Sequence, residues 1–310
     1  MRLAVLLSWL AGSAGFSGGV HHMRVPGAPP LSRRHARRHA PAAAMATTRG
    51  ALNARVVGVG AMAPENLVSN AQLEAVVETS DEWIAKRTGI RSRRLLQPSQ
   101  GLSDLASGAA ERALANAGVE ASEVELVILA TSTPDDLFGD AAGVAHSVGA
   151  TNAVAFDLTA ACSGFLFGMT TASQFLHNGA YRTALVIGAD ALSRWVDWSD
   201  RNTCVLFGDG AGAVVLRATD PGDAAGVLGY EMHSNGAGRG NLNLGYDGSA
   251  RELDASIGSV TNGAYRPVAM TGKEVYKFAT SCVPEVLGEA LDHAGISADE
   301  VDWLLLHQVR

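Results

Sequence analysis

One segment of the sequence occurs twice, and this repeat limits the possible folds more than any other feature. Residues 113–131 read ALANAGVEASEVELVILAT, and residues 290–308 read ALDHAGISADEVDWLLLHQ, with eight identical positions at a fixed offset of 177. Each copy predicts a helix, a stop at glycine, a short capped turn and a buried strand. An internal repeat of this kind implies two structurally similar halves.

The first half continues well beyond its copy of the repeat. Short apolar runs at 154–158, 184–188 and 213–216 predict buried strands, and a helical pattern follows Cys162. Alternating strands and helices with short glycine-rich turns indicate an α/β fold with largely parallel sheets. The run 207–212 (FGDGAG) lacks the lysine and the following helix of a phosphate loop, so we interpret it as tight turns between strands.

The domain organisation follows from the repeat and from composition. The sequence Asp220-Pro221-Gly222-Asp223 predicts the junction between an N-terminal half at 51–222 and a C-terminal half at 223–310. About 85 residues follow the first copy before this junction, whereas two residues follow the second. We therefore expect the second half to be incomplete and to leave apolar surface uncovered.

Residues 1–50 differ in composition from the rest of the chain. They contain seven Arg, no Lys and no acidic residue, and an apolar run at 3–10 precedes small residues, as in a signal peptide. The basic stretch 33–39 predicts either a transit peptide or a nucleic-acid-binding arm. The remaining 17 basic residues face 31 acidic ones, a formal charge of −14, which disfavours a polyanion partner. We therefore interpret 1–50 as a bipartite plastid presequence, a signal peptide followed by a transit peptide.

Hydropathy and cysteine usage exclude two further classes. No run of about 18 apolar residues occurs, which argues against a membrane-spanning segment. The three cysteines, at 162, 204 and 282, are too far apart for a metal-ligand cluster and too few for a disulfide framework. No metal site is predicted.

Cys162 occupies the position at which a predicted strand ends and a predicted helix begins. Phe165, Met169, Ala172 and Leu176 then share one helix face, and the helix stops at 178–179. A helix N-terminus favours a thiolate, and the small residues around Cys162 leave room for a substrate. A nucleophilic cysteine and a buried structural cysteine are both consistent with this placement.

Two further patterns lie near the start of the body. The sequence 58–63 (GVGAMA) loosely matches a dinucleotide-binding pattern, but a proline follows where a helix is needed. We expect Asn70 to cap a helix over 71–78, and Thr79 to form a capping box with Glu82 for a helix over 81–87. Trp83 and Arg87 would then share a helix face, suited either to a stacked adenine with its phosphates or to an ordinary half-buried surface.

His307 ends the second copy of the repeat, after a predicted strand over 301–306. If the halves are related by a pseudo-twofold axis, the carboxyl ends of corresponding strands face one another. Cys162 and His307 would then meet, as a nucleophile and a nearby base or donor require.

These motifs, taken together, resemble the β-ketoacyl-acyl-carrier-protein synthase III family of the thiolase superfamily. The shared segments run in order from residue 54 to 308: TSDEWI (79–84), RTGIR (87–91), DLTAACSGF (157–165), Asp200-Arg201, FGDGAG and His307-Gln308. The resemblance implies a thiolase-like α/β fold with a layered αβαβα architecture. It also implies the initiation step of type II fatty acid biosynthesis, in which acetyl-CoA condenses with malonyl-acyl-carrier protein and releases CO2 and CoA.

The resemblance also assigns residues. Cys162 would be the acylated nucleophile, and His307 would stabilise the enolate formed by decarboxylation. Thr79, Trp83, Arg87 and Arg201 would line the CoA site. Phe138 would reach the acyl pocket of a partner subunit, which implies a homodimer. Beyond its thioester substrates the family needs no cofactor.

The chain departs from the family pattern at its end. His307-Gln308 is followed by Val309 and Arg310, where the family has Ala-Asn. The resemblance therefore implies that the triad asparagine, a glycine-rich oxyanion segment and a carrier-protein docking helix are absent. The alternatives are another thiolase-fold acyltransferase, such as a polyketide-type enzyme, and an inactive fragment that binds CoA or a full-length subunit.

Overall fold

The computed structural model describes residues 3–5, 53–220, 223 and 225–307. The strands are β1 Leu3–Val5, β2 Ala54–Met62, β3 Leu67–Ser69, β4 Ser92–Arg94, β5 Leu126–Ala130, β6 Val154–Leu158, β7 Thr183–Ala191, β8 Asp209–Ala218, β9 Leu242–Asn243, β10 Tyr246–Asp254, β11 Gly258–Tyr265, β12 Ala269–Met270 and β13 Trp303–Leu305. The helices are α1 Asn70–Leu73, α2 Asp81–Thr88, α3 Leu102–Ala117, α4 Ala141–Ser147, α5 Gly164–His177 and α6 Gly272–Ala294.

A five-stranded sheet in the order β2-β8-β7-β5-β6 forms the centre of the first half. The pairs β5–β6 and β5–β7 are parallel, whereas β7–β8 and β2–β8 are antiparallel. The α/β class is confirmed, but the sheet is mixed rather than largely parallel. The reason is that β8 follows β7 without a crossover helix and turns back beside it.

The FGDGAG run does not form tight turns, and that prediction is wrong. Residues from Asp209 onward are the first part of β8, with Gly212 opposite Gly188 of β7. Ala211 and Ala213 belong to the core that packs against α3. This stretch of β8 is buried between β7 and the α3 side of the core.

Helix α3 covers one face of the sheet, and its closeness explains the GVG pattern in β2. A Cβ atom at Gly58 or Gly60 would collide with the α3 backbone at Ala113 or Ala109. These glycines therefore allow helix and strand to pack together, and they do not form a nucleotide loop. The helix buries leucines and alanines, which are Leu102, Leu105, Ala106, Ala109, Ala110, Ala113 and Leu114.

Helix α5 covers the opposite face of the sheet. Phe165, Ala172 and Leu176 are buried against β5, β7 and β8, with Met169 packed beside them. The helix ends at Asn178, followed by Gly179 with φ 76°. The predicted helix, its buried face and its end are confirmed.

The repeat is confirmed as a repeated structure. Helices α3 and α6 end at Gly118 and Gly295, both left-handed, with φ of 62° and 66°. A short 3-10 turn follows each, and then β5 or β13. The two strands differ in environment: β5 is fully buried, whereas Trp303 and Leu304 of β13 are each 50% exposed and β13 pairs with β1. The large apolar side chains at 303–306 are 38–50% exposed, and the incompleteness of the second half stays a prediction.

The two helix caps near the start of the body differ from the prediction. Ser69, not Asn70, caps the first helix, and this helix ends at Leu73 instead of 78. Ser80, not Thr79, caps α2, because its hydroxyl accepts a hydrogen bond from the Trp83 N–H at 3.1 Å. A serine in extended backbone directly before the helix is the better placed acceptor.

Three predictions fall wholly or partly outside the described residues. Apart from β1, the predicted presequence 1–50 lies there, including the basic stretch 33–39. Pro221 and Gly222 of the predicted junction also lie there, so the boundary at 222/223 stays a prediction.

Among the residues that the structure does describe, no helix has the length and apolar character needed to cross a bilayer.

Candidate active site

Cys162 lies where the sequence predicts it, between β6 and α5. It is the middle residue of a 3-10 turn, Ala161–Ser163, that leads directly into α5. Ala161 has φ 47°, the one positive φ at a non-glycine residue in the described part of the chain. An alanine in the left-handed region is strained, and such strain concentrates at functional sites. The turn thus presents Cys162 at the carboxyl edge of the sheet.

A small cavity adjoins the Cys162 side chain, which is half-buried. Its lining residues all come from the first half: Ala130, Ala161, Cys162, Phe165, Gly188, Ala189 and Asp190. Gly188 faces the Phe165 ring, which a Cβ atom would approach to 3.2 Å. The cavity therefore depends on small residues at the ends of β5 and β7. A larger cavity of about 330 Å³ contains none of the predicted site residues.

Asp190 is a residue that the sequence analysis missed. Its Oδ1 accepts hydrogen bonds from Ser132 N at 2.9 Å, Thr133 Oγ1 at 3.0 Å and Thr131 Oγ1 at 3.4 Å. Burial raises the pKa of Asp190 to about 6 in spite of these bonds. A sequence signal was available, because Asp190 stands two residues after the buried run 184–188, much as His307 follows a predicted strand.

The surroundings of Cys162 oppose the thiolate form that a helix N-terminus favours. Burial raises the pKa of the Cys162 thiol to about 11, and the negative charge of Asp190 raises it further. Loss of water around the sulfur outweighs the influence of the helix N-terminus. Cys162 therefore rests as a neutral thiol.

The predicted CoA-site residues converge on the Trp83 ring. The guanidinium carbon of Arg87 lies 4.3 Å from the ring centroid, and that of Arg201 lies 5.0 Å from it. Arg201 also donates to the Glu78 carbonyl at 3.2 Å, which brings it beside Thr79. The Thr79 hydroxyl is buried without a hydrogen-bond partner. Two cations and an aromatic plane, half open to solvent, suit a base with phosphates.

Phe138 and His307 lie at different places. The Phe138 side chain is fully exposed in a turn before α4, and its neighbour Leu137 is 80% exposed. His307 is half-buried and follows β13, which lies outside the five-stranded sheet. It is not among the residues that line the Cys162 cavity. The meeting of Cys162 and His307 stays a prediction.

Comparisons with known proteins agree with the resemblance read from the motifs. The model of the family described as 3-oxoacyl-[acyl-carrier-protein (ACP)] synthase III matches residues 156–236, which include Cys162 and Asp190. The β-ketoacyl-[acyl-carrier-protein] synthase III of Synechococcus elongatus is 57% identical over 262 residues, covering 84% of this chain and 77% of the relative. That of Trichormus variabilis is 54% identical over 257 residues, covering 83% and 77%.

A solved structure extends the agreement to the fold. The 3-oxoacyl-[acyl-carrier-protein] synthase III of Aquifex aeolicus superposes with a TM-score of 0.73 at 37% identity, over 83% of this chain and 77% of that one. The thiolase-like fold class is thereby confirmed. The chain belongs to the β-ketoacyl-acyl-carrier-protein synthase III family of condensing acyltransferases.

Proposed function

We propose that this protein condenses acetyl-CoA with malonyl-acyl-carrier protein, giving acetoacetyl-acyl-carrier protein, CO2 and CoA. This is the initiation step of type II fatty acid biosynthesis. The observation that carries the proposal is Cys162, which a strained turn presents to a cavity at the start of α5 in a chain of this family.

The first step of the proposed reaction transfers an acetyl group. The Cys162 sulfur attacks the thioester carbonyl, the bond from the carbonyl carbon to the CoA sulfur breaks, and the thiol proton ends on CoA. The backbone N–H of Cys162 is one donor for the oxyanion of the tetrahedral intermediate. Asp190 is the one acidic residue among those that line this cavity, and its charge opposes ionisation of the thiol before substrate binds.

The second step forms the new carbon–carbon bond. The malonyl thioester loses CO2, and the resulting enolate attacks the acetyl carbon and displaces the Cys162 thiolate. His307 is our candidate for the group that stabilises the enolate. The predicted Cys162–His307 approach across the pseudo-twofold axis supports that role.

The cluster around Trp83 supports CoA as the acetyl donor. The Arg87 guanidinium lies over the Trp83 ring, 4.3 Å from its centroid. A stacked adenine base would occupy the same place, so it would displace this guanidinium from the ring. Arg87 and Arg201 then remain beside the base as partners for its phosphates. The acetyl end then lies at Cys162.

We also propose a homodimer and a plastid location. The fully exposed Phe138 and the neighbouring Leu137 support the homodimer, because large apolar side chains exposed together on a turn are typical of contact sites. The acid-free, arginine-containing residues 1–50 and the cyanobacterial relatives support a plastid address.

The test is a condensation assay on the chain with radiolabelled acetyl-CoA and malonyl-acyl-carrier protein, run beside Cys162→Ala. The proposal predicts labelled acetoacetyl-acyl-carrier protein from the parent and none from the variant. Malonyl-CoA in place of the carrier-protein thioester distinguishes a polyketide-type preference. CoA binding without any acyl transfer would instead identify a non-catalytic CoA-binding protein and would overturn the proposed reaction.

A further inference from the structure

A cluster of histidine and glutamate side chains lies in the second half, away from the Cys162 cavity. The Nε2 atom of His233 is 3.0 Å from Oε2 of Glu289 and 3.3 Å from Oε1 of Glu231. One ligand atom from each of these three residues lies within 4.8 Å of the other two. In a tetrahedral zinc site with bonds of about 2.0–2.1 Å, neighbouring ligand atoms are about 3.3–3.4 Å apart. The two distances from His233 Nε2, 3.0 and 3.3 Å, are close to this value.

One atom of the cluster lacks a hydrogen-bond partner. Oε2 of Glu289 is inaccessible to solvent and accepts no hydrogen bond, although His233 Nε2 is only 3.0 Å away. The imidazole is therefore not oriented to donate to this oxygen. The Glu289 side chain as a whole is 40% exposed, so only this one carboxylate oxygen is withdrawn from water. A cation bound by Oε2 and by His233 Nε2 would give this oxygen a partner.

His293 lies beside the third member of the cluster. Its Nδ1 lies 3.2 Å from the Tyr230 carbonyl and 3.2 Å from Oε2 of Glu231. A carbonyl only accepts hydrogen bonds, so Nδ1 carries the proton and is the donor. Glu231 Oε2 lies beside this N–H group, and Glu231 Oε1, which faces His233, accepts a hydrogen bond from Met232 N–H at 3.0 Å. A hydrogen-bonded carboxylate next to the ligand atoms is typical of metal sites in proteins.

The internal repeat provides a comparison for this cluster within the same molecule. A Cβ atom at Gly229 would collide with α6 at Ala290 and Ala294, just as one at Gly58 would collide with α3 at Ala113 and Ala117. Both pairs of alanines obey the offset of 177. Gly229 therefore corresponds to Gly58.

The same correspondence places Glu231 and His233 at the positions of Gly60 and Met62. On the helix, Glu289 and His293 correspond to Arg112 and Asn116, which bond instead to the backbone of β2 at Ala61 O and Val59 N. The first half thus packs helix against strand without any ligand-type side chain here. The packing of this fold does not require the cluster, so a separate explanation is needed for it.

We propose that Glu231, His233 and Glu289 form a binding site for a single divalent transition-metal cation of the zinc type, with His293 beside Glu231. One nitrogen and two carboxylate oxygens suit such a cation and leave a fourth position for water. The metal ties the segment around 231–233 to α6, so its role is to stabilise the second half. This site is independent of acyl transfer at Cys162.

Cobalt(II) and zinc titrations of the full chain test the site. Cobalt(II) distinguishes nitrogen and oxygen ligands from the three free thiols by its absorption spectrum. We expect one cobalt ion per chain, a spectrum without a thiolate charge-transfer band, and displacement by zinc. Glu289→Gln and His233→Ala should each weaken binding at least about tenfold. Glu285→Gln, an exposed glutamate one turn earlier on α6, is the matched control and should bind like the parent.

The outcomes are separable from those for the proposed reaction. Saturable binding that both cluster variants lose and the control keeps, with unchanged far-ultraviolet circular dichroism, supports the site. A thiolate band, equal binding by parent and Glu289→Gln, or no saturable binding by the folded parent would overturn it. None of these results depends on whether acetyl-CoA is a substrate.

Discussion

Replacing Asp190 with asparagine should make Cys162 more reactive. Asparagine keeps the size of the side chain and an Oδ1 acceptor for Ser132 N and Thr133 Oγ1, but it removes the charge. The pKa of the Cys162 thiol is raised from an ordinary 9.0 to about 11, first by burial and second by the charge of Asp190. Without that charge, the pKa should fall by about one unit, because burial persists.

The magnitude follows from the thiolate fraction. At pH 8 a thiol of pKa about 11 is ionised in about one molecule per thousand, and one of pKa about 10 in about one per hundred. A less basic thiolate is also less nucleophilic, with a Brønsted slope of about 0.4–0.5, so the observed rate should rise about three- to fourfold. Asp190 has a pKa of about 6 and is ionised at pH 8, so its full effect is present. Below pH 6 the parent and the variant should converge.

The assay is the rate of reaction with a small aromatic disulfide between pH 5 and 10, with mass spectrometry to locate the mixed disulfide on Cys162. Thr133→Val is the control, because it removes the hydrogen bond to Asp190 and the one accepted from Ala191 N–H but keeps the charge. Its Cys162 should react no faster than that of the parent. Equal or slower reaction in Asp190→Asn would refute the electrostatic reasoning. An equal gain in Thr133→Val would show that loosening of the cavity, and not charge, controls the thiol.

Three further predictions concern the rest of the first half. Trp83→Ala should weaken CoA binding about 10- to 100-fold in calorimetry, because base stacking contributes about 1–3 kcal/mol, and should leave disulfide reactivity of Cys162 unchanged. Asp135→Ala should lower the free energy of unfolding by about 1–2 kcal/mol in urea titrations, because Asp135 accepts bonds from the first N–H groups of α3 and pairs with Arg194 at 2.6 Å. Burial would raise the pKa of Asp135, but these bonds hold it at about 2. The stabilisation of the fold by Asp135 is therefore fully present above about pH 4 and should fade as the pH falls toward 2. Gly60→Ala should lower the free energy of unfolding by at least about 1 kcal/mol, because the new Cβ collides with α3. Gly143→Ala in α4 is the control, since its Cβ meets open space, and it should be neutral or stabilising. Thermal denaturation measures both, and equal effects would contradict the packing argument.

Patterns with a strong period or a strong local signal were predictable from the sequence. The repeat predicted a helix, a glycine stop and a strand in both copies, and the structure has all three in each. Glycine stops and helical apolar spacing are local properties of the sequence, so they could be recognised without tertiary information. The i, i+4 spacing of Trp83 and Arg87 likewise placed the guanidinium over the ring. The position of Cys162 between strand and helix followed from the same kind of signal.

Features set by tertiary contact could not be predicted in this way. The glycine-rich stretch after Phe207 has the composition of turns, and only its packing against α3 and its pairing with β7 show that it is a strand. The Gly58 and Gly60 pair resembles a nucleotide loop until the α3 backbone is placed against it. The state of the Cys162 thiol depends on burial and on Asp190, which is 28 residues away in the chain. Local sequence carries no measure of either effect.

The central claim is that Cys162 is the residue that receives the acetyl group. The most direct measurement is intact-protein and peptide mass spectrometry after brief incubation with acetyl-CoA, with malonyl-acyl-carrier protein added afterwards. The account predicts one added acetyl group, located on the peptide that contains Cys162, absent in Cys162→Ala and removed by malonyl-acyl-carrier protein. An unmodified Cys162, or an acetyl group on Cys204 or Cys282 that persists in Cys162→Ala, would contradict it.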